Sequence, residues 1–249
     1  MSTTLEQADA PDWPVAKDGF RLRGHNMTRT EAFTDAAFAF AVTLLVISVE
    51  RVPASYREML DALLGVPAFA LSFTLLLVFW HGHWQWSRRF GLEDTRSIVL
   101  SAALVFTALV YVYPLKYMST LLIFWLSGFR IAPAGRAGNL GIESMDQLYG
   151  IFAVYGVGFT VMALIVALLN LHAYRLREEL MLNGLEAAET RSESGAWLIL
   201  AAVGALSAAT ALLTPPSRLM LPGWTYMLLP VLMPAYSRRT ARARRHRPG

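Results

Sequence analysis

The chain contains no cysteine among its 249 residues. It therefore cannot form a disulfide bond or a thiolate metal site, and its redox compartment cannot be read from the sequence. Charged residues are also scarce, at 16% of the chain, whereas apolar residues make up 55%. This balance is typical of an integral membrane protein.

The motifs of catalysis are missing as well. The sequence has no glycine-rich phosphate loop, no Ser, His and Asp with the spacing of a nucleophilic triad, and no carboxylate pair expected to face a common pocket. His81 and His83 stand two positions apart, so on a helix they point in nearly opposite directions and cannot share a metal ion. We expect neither an enzyme nor a bound cofactor or metal.

The basic residues are unevenly distributed along the chain. The net charge of +4 could suggest a nucleic-acid partner, but six arginines lie together between Arg238 and Arg247, after the last apolar segment. A basic run in that position is typical of a topology signal. Most other Lys and Arg residues lie near the N-terminus and after the second and fourth apolar segments. The positive-inside rule therefore predicts a multi-pass plasma (inner) membrane protein with both termini in the cytoplasm, and no nucleic-acid partner.

Six apolar segments predict an all-α membrane protein. They lie at 29–50, 62–86, 97–124, within 147–174, and at 195–213 and 219–236. Pro114 is expected to kink or end the third helix, and Trp80, Trp84 and Trp86 are expected in an interfacial aromatic belt. A turn is predicted at 51–57 and a helical, charged linker at 175–193.

The domain organisation follows from these segments. Residues 1–28 are predicted to be a cytoplasmic tail, 29–237 a six-helix transmembrane domain, and 238–249 a basic cytoplasmic tail. We expect the first tail to be disordered, although Trp13 and Phe20 could instead rest on the membrane surface.

The first apolar segment, Arg29–Glu50, has two different faces. Plotted at 100° per residue, one stripe contains Phe33, Phe40, Leu44 and Ile47 with Thr43 at its edge, and Asp35, Val42 and Val46 lie on the back. A carboxylate carried below the membrane surface needs a partner, which makes Asp35 a candidate for a polar network. Apolar residues at these spacings are equally what any buried helix face shows, so packing alone also explains the stripe.

The start of this segment carries a family resemblance. Arg29-x-x-x-Phe33-Thr34-Asp35 opens an apolar helix and resembles the RxxxFSD signature of the transmembrane protein 175 family of potassium channels. Thr34 stands in place of serine and keeps the hydroxyl. Trp80-x-x-His83 and a Tyr-Pro in the third segment extend the likeness, whereas segments four to six match in number only.

The resemblance implies six helices per subunit and a homotetramer within the lipid bilayer. The first helix of each subunit would line a central pore that lacks a glycine-rich filter and conducts K+ with weak to moderate selectivity. The positions matching the pore lining are Phe40, Leu44 and Ile47, and Phe40 departs from the usual branched aliphatic residue, which leaves the width of the constriction open. The signature residues Arg29, Phe33, Thr34 and Asp35 would bond to the second and third helices rather than face ions.

Each polar candidate also has a simpler interpretation. Asp35 could accept hydrogen bonds from Trp80, His83 or Arg29, or it could be a surface charge stabilised by the helix N-terminus. Thr43 could offer its hydroxyl to a cation, or bond to its own helix four residues back.

Two further patterns resemble channel features. Tyr155-Gly-Val-Gly-Phe159 looks superficially like a potassium filter, but it sits inside an apolar span, where small residues let helices approach closely. Glu50 and Glu58 could form an outer carboxylate ring that concentrates cations, or be loop charges offset by neighbouring arginines. A proton-conducting pore of the same architecture and a non-conducting membrane scaffold or sensor remain alternatives to a potassium channel.

Overall fold

The computed structural model describes residues 13–24, 26–47, 54–128, 142–216 and 220–245, except for the side chains of Ile47 and of residues 241–245. Its helices are α1 (Arg29–Ile47), α2 (Tyr56–Leu63), α3 (Val66–Phe90), α4 (Thr95–Leu126), α5 (Met145–Arg175), α6 (Gly184–Leu213), α7 (Leu221–Trp224), a 3-10 turn (Thr225–Leu228) and α8 (Leu229–Arg245). Within these ranges the only β-type pairing is an isolated antiparallel bridge between Val15 and Arg21. The prediction of an all-α protein is confirmed.

Four of the described helices, α3 to α6, are long and apolar enough to cross a membrane. They correspond to the second to fifth apolar segments of the sequence. The sixth segment is interrupted, because α7, the 3-10 turn and α8 follow one another as separate pieces. Pro222 and Pro230 lie in this stretch and lack the N–H that a continuous helix would need.

Helix α4, Thr95–Leu126, is close to the predicted segment 97–124 and continues through Pro114, so the proline does not end it. One helix boundary differs from the sequence-based expectation. Helix α6 begins at Gly184, well before the expected start at 195, because Asn183 and Glu186 form a reciprocal capping box. The charged stretch that was expected to be a linker is therefore partly the first turns of α6.

The N-terminal segment 13–24 packs against the helices, so the prediction of disorder is wrong for these residues. The Phe20 side chain is fully buried and meets the Phe90 ring edge-on at 5.6 Å. The Gly24 amide donates to the carbonyl of Arg88 at 3.1 Å. A side chain at Gly24 would collide with the Ser87 carbonyl, so this close approach of two backbones requires glycine.

The core of the bundle lies around α5, which packs against α6 along most of its length. Gly156 makes that approach possible, since a Cβ there would lie 2.9 Å from backbone atoms of Gly204 and Ala208. This agrees with the sequence-based view of Tyr155–Phe159 as a packing motif. Trp86 is also a core residue rather than part of an interfacial belt, because its side chain is buried and its Nε1–H donates to the carbonyl of Leu169 at 3.0 Å.

Candidate functional site

Helix α1 buries one side and leaves the other uncovered. It packs against α4 and α3 through a buried face formed by Glu31, Thr34, Phe38, Ala41 and Leu45. These positions recur every three or four residues, which is the period of one helix face. The contacts fix the rotation of α1 within the subunit and therefore decide which residues remain outside.

The uncovered side of α1 contains much of the stripe found in the sequence. Phe33 is 60% exposed and Phe40 is 56% exposed, and Thr43 is exposed beside them. Leu44 is half-buried and packs against the core, and the side chain of Ile47 lies outside the described residues. Val46, which the helical projection places on the back, is 49% exposed. The exposed face is thus turned toward Thr43, because α4 and α3 cover the side bearing Thr34 and Ala41.

The Thr43 hydroxyl bonds within its own helix. Its Oγ1 donates to the carbonyl of Ala39 at 3.0 Å, which is the usual way for a threonine to satisfy its proton inside a helix. The oxygen keeps its lone pairs on the exposed side.

Asp35 connects α1 to α3. Its Oδ1 accepts a 2.8 Å hydrogen bond from Trp80 Nε1. His83, the other donor considered on α3, bonds instead to Ser101 Oγ on α4 at 2.9 Å. Arg29 is exposed at the start of α1 and makes no ion pair with Asp35. Of the possible partners, Trp80 alone reaches this carboxylate within the part of the chain that the structure describes.

Two signature residues have environments that the sequence did not indicate. Phe33 is mostly exposed within the subunit, so it makes little contact with α3 or α4. Thr34 is fully buried, yet its Oγ1 has no hydrogen-bond partner among the described residues. The hydroxyl of Thr34 therefore adds no polar link to this site.

Glu31 is the residue of this site that sequence reasoning missed. It is 1% exposed, forms an ion pair with Arg88 Nε at 3.3 Å, and accepts a hydrogen bond from Ser87 Oγ at 3.3 Å. The Glu31 amide donates to Thr28 Oγ1 at 3.0 Å. The sequence Thr28-x-x-Glu31 has the capping-box pattern, which was the available signal for a helix start at this point.

Two carboxylates connect elements at the ends of the apolar helices: Asp94 joins α4 to α5, and Asp18 joins the N-terminal segment to α3. Asp94 caps α4 and accepts from Ser97 Oγ at 2.6 Å and from His172 Nε2 at 2.9 Å. Partial burial alone would raise the pKa of Asp94, but these hydrogen bonds outweigh it and hold that pKa below its usual value. The pKa of Asp18 is lowered in the same way, against a burial effect, by the Phe20 amide and by Arg89, whose Nη2 lies 2.7 Å from the carboxylate.

Of the two carboxylates considered for an outer ring, only Glu58 belongs to the described residues. Glu58 Oε2 accepts from the amide of Ala54 at 2.8 Å and so belongs to the start of α2. Glu50 lies outside the described residues. No cluster of three or more potential metal ligands, histidines included, occurs in the described parts of the chain.

Comparison with known proteins identifies relatives of this chain. A family model described as "Endosomal/lysosomal potassium channel TMEM175" matches residues 29–114, which span α1, α2, α3 and most of α4. The chain is 32% identical over 229 residues to a protein named "Potassium channel" from Marivirga tractuosa, covering 91% of this chain and 92% of that protein.

Two solved structures have a similar fold. The first is a variant of the potassium channel MtTMEM175 in complex with a nanobody–MBP fusion, with a TM-score of 0.80 and 31% identity over 92% of this chain and 100% of the other. The second is a lysosomal potassium-selective channel TMEM175 homolog from Chamaesiphon minutus, with a TM-score of 0.50 and 21% identity over 85% of this chain and 96% of the other. The second likeness concerns the fold alone.

Proposed function

The chain belongs to the TMEM175 family of potassium channels, and on that premise we propose that four copies assemble around a central pore that conducts K+. A member of a channel family is a transport protein rather than an enzyme. Potassium is then the permeant ion, and the protein needs no cofactor for conduction.

The uncovered face of α1 is the observation that carries this proposal. Phe33, Phe40 and Thr43 are exposed on a helix whose opposite side is buried against α3 and α4. One subunit with one such helix cannot enclose a pore. Four copies related by a rotation axis would bring the four exposed faces together and line a channel.

The proposed barrier is a series of apolar rings. Phe40, Leu44 and Ile47 are four and three residues apart, which separates successive rings by about 6 and 4.5 Å along the helix axis. An apolar ring narrows a pore and excludes water, so an ion passes only when the constriction becomes wet. Phe40 has the largest side chain of the three and would control the width at its level.

Selectivity in such a pore would be weak to moderate. The described α1 contains no glycine-rich loop whose carbonyls could replace a full hydration shell. Thr43 is proposed to assist, because its proton is donated to Ala39 and its lone pairs remain available to a partly dehydrated cation.

The topology proposal keeps six membrane spans. Helix α1 has 19 described residues, about 28 Å of helix against about 30 Å of hydrocarbon, and the stretch from α7 to α8 is proposed as the sixth span. The distribution of basic residues supports a plasma-membrane protein with both termini in the cytoplasm.

The polar residues behind α1 are proposed to hold the pore helix in place. Asp35 bonds to Trp80, and Glu31 pairs with Arg88, so both carboxylates are directed into the subunit and not along the exposed face. Arg29, Phe33 and Thr34 belong to the same end of α1, and His83 braces α3 against α4 through Ser101.

A non-conducting scaffold or sensor is the second candidate. Exposed apolar residues such as Phe40 also suit a helix that faces lipid or another protein. This interpretation predicts that polar substitutions on α1 disturb packing without creating an ion pathway.

A flux assay on purified protein in liposomes tests the proposal. Vesicles with a K+ gradient are prepared with the unmodified chain, Phe40→Ser, Leu44→Ser and the control Phe106→Ser, which lies on α4 and is 70% exposed. We expect faster K+ flux for Phe40→Ser and Leu44→Ser, because a polar ring is easier to wet, and unchanged flux for Phe106→Ser.

Companion measurements separate the alternatives. Sodium-loaded vesicles give the ion preference, a pH-sensitive dye reports proton flux, and the mass of the detergent-solubilised complex gives the number of subunits. If the α1 variants form folded tetramers but none of them shows ion flux, the result would contradict the pore and favour a scaffold. Dye signals without K+ flux would favour a proton pathway.

A further inference from the structure

A groove of about 460 Å³ lies between α4 and α5, and none of its lining residues belongs to the pore helix proposed above, α1. Its lining includes Thr95, Arg96 and Val99 from α4, and Leu168, His172 and Arg175 from α5. The groove brings together the beginning of α4 and the end of α5. It is therefore located at one end of the helix bundle.

The polar and apolar residues of the groove occupy different levels. Arg96 is at the first turn of α4 and Arg175 is the last residue of α5. Val99 and Leu168 lie one to two turns deeper, which corresponds to about 5–10 Å along the helices. The groove thus has a cationic rim and an apolar floor, with the apolar part directed toward the membrane interior.

Both arginines of the rim are available for a ligand. Arg96 and Arg175 are exposed, and neither forms an ion pair or a side-chain hydrogen bond with any residue that the structure describes. Arginine binds phosphate through a planar fork of N–H donors, and its long stem can extend along apolar surface. Two such side chains on neighbouring helices can approach one phosphate from two sides.

Asp94, the carboxylate next to Arg96 at the rim, already accepts hydrogen bonds from other groups. The Asp94 carboxylate accepts from Ser97, from the Arg96 amide and from His172. These donors offset its charge, and the residues that line the groove include the guanidinium groups of Arg96 and Arg175 and no carboxylate. The rim therefore favours an anion over a cation.

We propose that this groove binds an anionic phospholipid, with the phosphate between Arg96 and Arg175 and one acyl chain along Val99, Leu100, Leu168 and Leu171. A volume of about 460 Å³ suits a headgroup and the upper part of one chain. Basic pockets between transmembrane helices, with an apolar surface below, are typical sites for anionic headgroups. Binding at this site does not depend on whether the pore conducts.

Native mass spectrometry of the detergent-solubilised protein tests the site. The protein is titrated with phosphatidylglycerol or with phosphatidylcholine of the same chains, and the fraction carrying bound lipid is measured. We expect preferential retention of phosphatidylglycerol, reduced about fivefold by Arg96→Gln or by Arg175→Gln, because one arginine near an anionic lipid contributes roughly that factor. The double variant should lose the preference.

A matched control uses an arginine elsewhere. Arg57→Gln on the exposed helix α2 removes the same charge and should leave retention unchanged. Equal retention of the two lipids, or an equal loss with Arg57→Gln, would overturn the proposal. Displacement of the bound lipid by millimolar inorganic phosphate would also overturn it, because a lipid held by its acyl chain resists a free anion.

A second variant tests whether another copy of the chain covers the groove. The chain has no cysteine, so Val99→Cys introduces a single thiol at a position that is 59% exposed. A thiol that reacts with a membrane-soluble maleimide and is protected by added phosphatidylglycerol supports the lipid site. Disulfide-linked subunits formed under mild oxidation would show a protein–protein interface there and would contradict it.

Discussion

Trp80 Nε1 lies 2.8 Å from Asp35 Oδ1, and the hydrogen bond that it donates joins α3 to the first half of α1. This bond turns the carboxylate away from the exposed face that contains Phe40. A charged residue near the start of a membrane helix is thereby used for packing between helices, and its deletion should affect assembly before ion preference.

Asp35→Ala should lower the yield of assembled protein more than it changes the ratio of K+ to Na+ flux. The change removes a charge-assisted hydrogen bond and leaves the Trp80 N–H without its acceptor, which costs about 1–3 kcal/mol. Size-exclusion profiles and liposome flux measure the two effects. Asp35→Asn keeps an acceptor and should assemble better than Asp35→Ala; an unaltered profile for Asp35→Ala would refute the prediction.

Thr34→Val should leave stability unchanged or raise it by about 1 kcal/mol. The Thr34 hydroxyl is fully buried without a partner, so replacing it with a methyl group of similar shape removes a desolvation cost. Thermal unfolding in detergent provides the measurement. Ser101→Ala serves as the contrast, since Ser101 bonds to His83 at 2.9 Å and its loss should lower the melting temperature. A clear loss of stability in Thr34→Val would show that its hydroxyl does have a partner.

Gly156→Ala should destabilise the α5–α6 contact by about 1–3 kcal/mol, as expected for overpacking. The added Cβ would lie 2.9 Å from backbone atoms of α6, which cannot rotate away. Gly150→Ala on the same helix is the control, because nothing lies within 4 Å of its Cβ position and alanine favours helix. The two melting temperatures should therefore move in opposite directions, and a parallel change would contradict the close approach.

Glu186→Gln should release the N-terminal segment. The Glu186 side chain is fully buried between Arg21 Nη2 at 2.7 Å and Arg23 Nη2 at 2.9 Å, and removing one partner of such a group leaves buried charge uncompensated. Trypsin should then cleave after Arg21 and Arg23 at least several times faster. Glu178→Gln, which alters an exposed pair with Arg177, should not change the cleavage rate; equal rates in all three proteins would argue against the contact.

The sequence predicts the helices better than the contacts between them. The stripe of α1 was visible from its period, and Trp80 was visible as a possible partner of Asp35 because both would lie near the same membrane surface. The rotation of α1 about its axis cannot be predicted from the sequence, because it depends on where α3 and α4 approach Thr34 and Ala41. That information belongs to tertiary packing and not to the period of one helix.

The other differences between the sequence-based expectation and the structure concern charged residues that are buried. Glu31 and Arg88 each resemble an ordinary charged residue at a helix end, and only their pairing shows that Glu31 is inside. The residues around Glu186 likewise suggest a solvated linker. Their true environment depends on Arg21 and Arg23, which belong to a segment that composition alone assigns to a disordered tail.

The ion pair between Arg21 and Glu186 also determines when the N-terminal segment can complete its contacts during biosynthesis. The two residues are separated by 165 positions in the chain, and at ordinary translation rates roughly 10–30 s pass between their synthesis. Segment 13–24 precedes α1 in the chain, so its attachment is completed only after the first turn of α6 has been synthesised. A chain stalled before residue 186 would already hold Phe20 against Phe90, but Arg21 and Arg23 would lack their carboxylate partner and the segment would be only partly attached.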